Sequence, residues 1–145
     1  MKRLSIVLCA VVLILSATSL VAAPKELTIL WAQWDPADYL QQLAKEYPGA
    51  TVKVVQEPWG SFGDRFYTAM AANGTEWDMV IGDSQWLGTG ATSGQYVELT
   101  KFMKDNKLVS TVTPATLQYY GEYPAGSKKY WAFPTEGDAC GWAYR

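Results

Sequence analysis

The hydrophobic pattern divides the chain into an apolar leader and a run of alternating elements. Leu4 to Leu15 is apolar apart from Ser5, and a more polar Ser16-Ala17-Thr18-Ser19 stretch follows. Glu26 to Trp34 is rich in Leu, Ile and Trp and reads as a buried strand. Asp35-Pro36 predicts a helix start, with Asp35 at the cap and proline at the first helical position. Leu40, Leu43, Ala44 and Tyr47 then recur at helical spacing, and Pro48-Gly49 predicts the stop. Thr51 to Gln56 is a β-branched strand. Beyond a Pro-Trp-Gly turn, Phe62, Phe66 and Met70 mark one face of a second helix, which Asn73-Gly74 closes in the left-handed conformation. Trp77 to Gly82 predicts a third strand.

Strands and helices thus alternate as βαβαβ with short connections. That pattern requires a mostly parallel sheet joined by right-handed crossovers, with flanking helices. Further on, Ser84 to Ser93 predicts a Gly-broken helix. Thr100 caps a short helix carrying Phe102 and Met103, and Thr113-Pro114 opens another carrying Leu117 and Tyr120. Lys129 to Phe133 and Ala139 to Arg145 read as two strands around the turn Pro134 to Asp138. The last of these runs to the end of the sequence with Trp142 and Tyr144 still to be packed, so the sequence reads as part of a longer protein.

The leader changes the picture of charge and compartment. Lys2 and Arg3, the apolar run and the small residues Val21-Ala22-Ala23 form the layout of a secretory signal peptide over 1–23, which leaves 24–145 as the mature segment. Pro24 disfavours cleavage after Ala23, so the cut falls there or one residue earlier. An uncleaved anchor is the alternative, because Leu4 to Ala23 is roughly the 20 residues a bilayer requires. Removing Lys2 and Arg3 from the twelve basic residues leaves ten against fourteen acidic ones, a net charge near −4 that argues against nucleic acid or an anionic membrane surface as a partner. Only Cys140 remains in the mature segment, so that segment closes no disulfide on itself. The sequence has no His, which removes Ser-His-Asp and Cys-His catalysis and the usual zinc sets; no cofactor or metal is expected.

All seven Trp lie in the mature segment, and their placement is informative. Ligands of open parallel sheets bind beyond the carboxyl ends of the strands. The first predicted strand ends in Gln33-Trp34-Asp35, the second in Gln56-Glu57-Pro58-Trp59, and the third in Asp83-Ser84-Gln85-Trp86. Each end pairs a Trp with a carboxylate or amide. A pyranose lays its C–H face on an indole, while carboxylates and amides engage its vicinal hydroxyls. Each Trp taken singly also fits core packing; Trp31 and Trp77, inside strands, are assigned to the core. Asp83 or Ser84 equally fits a helix N-cap.

The segment EWDMVIGDSQWLGTGATSGQYVELTKFM (Glu76 to Met103) resembles the family-1 extracellular solute-binding proteins of ABC importers, with their DVV…D…W…G…L.DLT pattern. YWAFPTEGDACGWAYR (Tyr130 to Arg145) is similar to the region where such chains cross to a second lobe. The resemblance covers essentially the whole mature segment and implies a periplasmic-binding-protein-like lobe whose second lobe is missing here. It implies an exported bacterial protein that binds a small molecule between two lobes, closes on it and docks on a membrane permease. By the same resemblance, Trp34 and Trp59 line the cleft, Asp83, Ser84, Gln85 and Trp86 follow the third strand, and Gly137-Asp138 precedes the crossing. Trp with Gln and few acids favours a neutral sugar or polyol over a polyamine. Cys140 and Trp142 depart from the small or aliphatic residues common at their positions. Two rival readings stay open: a secreted glycan hydrolase using Glu136 and Asp138 or Glu57 and Asp83, and a membrane-anchored carbohydrate sensor.

Overall fold

The structure, a computed structural model, describes residues 25–137. The leader over 1–23, Asp138, Cys140 and the strand expected over 139–145 lie outside the described residues. Three strands form one parallel sheet in the order β2-β1-β3, with β1 at Glu26–Ala32, β2 at Thr51–Glu57 and β3 at Met79–Val80. The helices are α1 (Asp35–Leu43), α2 (Trp59–Ala71), α3 (Leu87–Thr92), α4 (Thr100–Asp105) and α5 (Pro114–Tyr120), with single 3-10 turns at Ala44–Glu46, Ser84–Trp86 and Leu108–Ser110. The expected βαβαβ order is therefore present.

The central position of β1 explains its unbroken apolar run. Ile29, Leu30, Trp31 and Ala32 are all buried, as in a strand covered on both faces. Ala37 of α1, Val54 of β2 and Phe62 and Phe66 of α2 complete this core, with Trp31 inside it as expected and Trp77 packed at its margin. A second, smaller core joins Met103 of α4, Leu117 of α5 and Tyr130. Gly90 of α3 is required by close approach: a Cβ there would lie 2.4 Å from the Tyr96 ring. The same burial, with Tyr67 nearby, raises the Tyr96 hydroxyl to about 12.

Several elements differ from expectation. Trp34, not Asp35, holds the cap position of α1; Asp35 is its first residue and Pro36 follows within the first turn. The inward face of α1 is centred on Ala37, Leu40 and Gln41, while Leu43 and Tyr47 are exposed. Polar Gln41 is tolerated there because β2 bonds its amide. Helix α2 starts at Trp59, so the Pro-Trp-Gly turn is its first turn. Asn73 takes the left-handed conformation at φ 51° and Gly74 N–H returns to Ala69 O, as the Asn-Gly pair predicts. Strand β3 shrinks to two residues, although Asp78 N–H donates to Thr28 O and Ile81 N–H to Leu30 O on either side.

Leu99 holds the cap position of α4, and the Thr100 hydroxyl instead accepts from Tyr130 N–H at 2.9 Å. Phe102 faces outward, 57% exposed, and only Met103 of that pair is buried. Thr113 does cap α5, accepting from Thr116 N–H. The strand expected over Lys129 to Phe133 is a single antiparallel bridge, Glu122 to Tyr130. Trp131 and Ala132 both direct their N–H to Gly121 O, which pinches the ladder after one pair. The turn between them uses positive φ at Gly126 and Lys128, and the buried Glu122 carboxylate accepts Lys128 N–H at 2.8 Å.

Candidate functional site

The register of the sheet decides which strand ends meet. Ala32 of β1 is level with Glu57 of β2, and Gln33 N–H continues the ladder to Glu57 O at 2.8 Å. Trp34 and Trp59 each lie two residues further on, so their rings arrive side by side. The centroids are 6.0 Å apart with planes at 75°, an edge-to-face corner. Trp34 is held from behind by Trp31 at 5.5 Å, and Trp59 rests its edge against Phe62 at 6.1 Å. Trp59 is 57% exposed. Trp34 is half-buried, and its indole N–H has no hydrogen-bond partner among the described residues. An orphaned buried donor costs about 1–3 kcal/mol.

The third strand end divides. Leu30 pairs with Val80, which brings Asp83 to Gln85 near the level of Trp34. There the chain enters a 3-10 turn that Asp83 itself caps: one carboxylate oxygen accepts Gln85 N–H at 3.1 Å and the other accepts the Gln85 side-chain amide at 3.0 Å. The Ser84 hydroxyl is 3.5 Å from the same carboxylate. All three residues are exposed. The capping reading of Asp83 is thus realised, and the Asp83–Gln85 pair presents a fixed carboxylate and amide to solvent.

Trp86 goes elsewhere. The turn points it at α2, where its ring stacks on Phe66 at 4.9 Å and 11° and leans on Phe62 at 5.2 Å. Gly82 and Gly63 leave room for it; a Cβ at Gly82 would come within 3.0 Å of the indole. Trp86 therefore packs at the edge of the core, with Phe62 between it and Trp59. Gly137 is exposed and lies beside Thr116 of α5. Asp138 lies outside the described residues. The site residues that the structure brings together are Trp34 with Trp59, and Asp83 with Ser84 and Gln85.

Arg65 went unnoticed in the sequence, yet it organises the β2 end. Its guanidinium pairs with Glu57, reaches Glu76 at 3.8 Å and covers the Trp77 ring at 5.5 Å. The only signal was its position, two helical turns after Glu57 in a helix that starts at Trp59. The Ser61 hydroxyl also donates to Glu57 at 2.8 Å. Ser61 first, and then Arg65, hold the Glu57 carboxyl below its ordinary value of 4.5. A carboxylate so committed is unsuited to act as a proton donor, which weakens the Glu57–Asp83 pair as acid and base.

The sign of this shift gives a testable consequence. A depressed folded value means that the stabilisation is present above pH 4.5 and is lost as pH falls through the lower folded value. The gap in unfolding midpoint between wild type and Glu57→Gln should be widest near neutrality and close progressively in acid. A gap that stays constant with pH would show that the charge of Glu57 contributes nothing.

Two concavities, of about 560 and 450 Å³, are lined by none of Trp34, Trp59, Asp83 and Gln85; one lies beside Gln41 and Val52 and the other beside Ser61, Arg65 and Trp77. The strand-end residues form an open surface. Among the described residues, no group of three or more His, Cys, Asp or Glu could hold a metal ion, and no helix is long and apolar enough to cross a membrane.

Residues 33–145 match a family model described as bacterial extracellular solute-binding protein. No curated protein sequence matches. Among solved structures, the chain is similar to an ABC transporter solute-binding protein from Agrobacterium radiobacter K84 in complex with ribitol. The identity is 27% and the TM-score 0.67, over 76% of this chain and 28% of that one. It also shares the fold of an N-glycan transport solute-binding protein from Streptococcus pneumoniae, at 20% identity and a TM-score of 0.52, over 65% of this chain and 22% of that one. The chain thus spans less than a third of the length of either protein.

Proposed function

Since the chain belongs to the family of bacterial extracellular solute-binding proteins, whose members capture solutes and are not enzymes, we propose that it is the capture component of an ABC importer and takes a neutral sugar or polyol on the surface around Trp34 and Trp59. The observation that carries this reading is the edge-to-face pair itself: two indoles at the ends of adjacent parallel strands, one of them more than half exposed. An exposed Trp offers apolar area to a C–H face without any charge to desolvate. Beyond the end of the neighbouring strand β3, Asp83 and Gln85 offer acceptor and donor groups to hydroxyls, and the orphaned Trp34 N–H is available to an oxygen brought close on closure. The ribitol complex of the Agrobacterium relative and the glycan substrate of the Streptococcus protein support this ligand class.

In this reading residues 1–23 direct export, and Gly137 and Asp138 lead towards a second lobe. Ligand contacts both lobes, so the closed state binds more tightly than the open one, and the closed form is what the membrane permease receives. The test uses full-length protein against a panel of neutral monosaccharides, oligosaccharides and polyols, ribitol among them, with Trp emission and melting temperature as readouts. At least one ligand should quench emission and raise the melting temperature, and Asp83→Ala should weaken both responses. A panel without any response, from protein that melts cooperatively, would sink the proposal.

A further inference from the structure

Strand β2 lies at the edge of the sheet among the described residues, and two of its outward backbone groups are held by one side chain of its own domain. Thr51 N–H donates to Lys25 O, and Glu57 O accepts from Gln33 N–H, so the odd-numbered residues of β2 face β1. The even-numbered residues Val52, Val54 and Gln56 therefore direct their amides and carbonyls away from the sheet. On that side, Val54 N–H donates to Gln41 Oε1 at 2.7 Å and Gln41 Nε2 donates to Val52 O at 3.1 Å. The syn N–H and the C=O of a primary amide face the same side, as do the N–H and C=O of one extended residue, so Gln41 imitates one residue of a neighbouring strand. This also explains why a glutamine occupies the inward face of α1.

We propose that Gln41 closes the outer edge of β2 and so keeps the protein from pairing strand to strand with a second copy of itself. An open edge of this composition is a template for strand addition, since Thr51, Val52, Val54 and Val55 are all β-branched. The sequence also suits self-pairing. In an antiparallel pair centred on Val55, Val54 of one copy faces Gln56 of the other with both amides directed across the gap, and Lys53 stands opposite Glu57. The Gln41 amide holds Val54 N–H, which the Val54–Gln56 pair of such a ladder requires.

The experiment compares full-length wild type, Gln41→Ala and Gln41→Lys by light scattering over a concentration series, with amide hydrogen exchange at Val54. Both substitutions remove the side-chain acceptor, so Val54 exchange should quicken by about tenfold in each at low concentration. Gln41→Ala frees Val52 O and Val54 N–H and should form concentration-dependent dimers. Gln41→Lys places a charge on the edge, a known deterrent to strand addition, and should remain monomeric. A monomeric Gln41→Ala at every concentration overturns the proposal. Equal self-association of the two variants overturns it as well, because that pattern reports loss of fold rather than edge pairing.

Discussion

Phe62→Ala is expected to remove about 3–5 kcal/mol of folding stability, the range for deleting a fully buried aromatic ring. Phe62 is 2% exposed and touches two indoles, Trp59 at its edge and Trp86 across a tilted face. Its loss leaves a cavity between β1 and α2 that neither indole fills without leaving its own contacts. Against a typical total stability of roughly 5–15 kcal/mol, this is a large fraction. Denaturant titration of the full-length protein reads it directly, with Phe62→Leu as the milder control at about 1.5 kcal/mol or less. A change under about 1 kcal/mol for the alanine variant would mean that the two aromatic groups do not depend on this ring.

Trp59→Ala is expected to act more on binding than on stability. The side chain is 57% exposed but keeps edge-to-face contacts with Trp34 and Phe62, so stability should fall by about 1–2 kcal/mol, less than at Phe62. Affinity should fall steeply, because the indole supplies the apolar area that a sugar or polyol covers. Covering a large side chain is worth about 1.5–3 kcal/mol, which corresponds to roughly 10- to 100-fold in Kd. Trp59→Phe should recover part of the loss by restoring a smaller aromatic face. Calorimetric titration with the best ligand from the panel decides it. Unchanged affinity in Trp59→Ala would place the ligand elsewhere on the molecule.

The contrast between these two aromatics marks what the sequence could and could not convey. Patterning identified Phe62, Phe66 and Met70 as one face of a helix and Glu26 to Trp34 as a buried strand, because burial leaves a trace in residue type. Although β1 and β3 stop two residues short of the expected ends, the end of β2 was equally legible, since Pro58 punctuates it. Side-chain direction was not. Trp34 and Trp59 each follow their strand by two residues, whereas Trp86 follows β3 by six, and the 3-10 turn capped by Asp83 swings it onto Phe66 and away from the other two. Gln41 and Arg65 were missed for a related reason: a polar residue that satisfies a partner far along the chain looks, in sequence, like one that faces water. The strand expected over Lys129 to Phe133 failed because β-propensity carries no information on whether a partner continues beside it, and here Gly121 ends the pairing after one bridge.

The central position of β1 also sets an order of events for a chain that grows from its amino end. Glu26 finds its partner Thr51 after 25 residues, so β1, α1 and β2 can close as a unit early. Ile29 must wait for Met79, 50 residues on, before its other side is covered. One doubling of the loop adds only about 0.6 kcal/mol of closure entropy, so the delay is one of time rather than of equilibrium. In that interval Leu30 and Trp31, destined for complete or near-complete burial, stand at an open margin of a two-stranded ribbon. It is then, before Met79 and Val80 dock, that the nascent chain is most exposed to capture by the wrong strand.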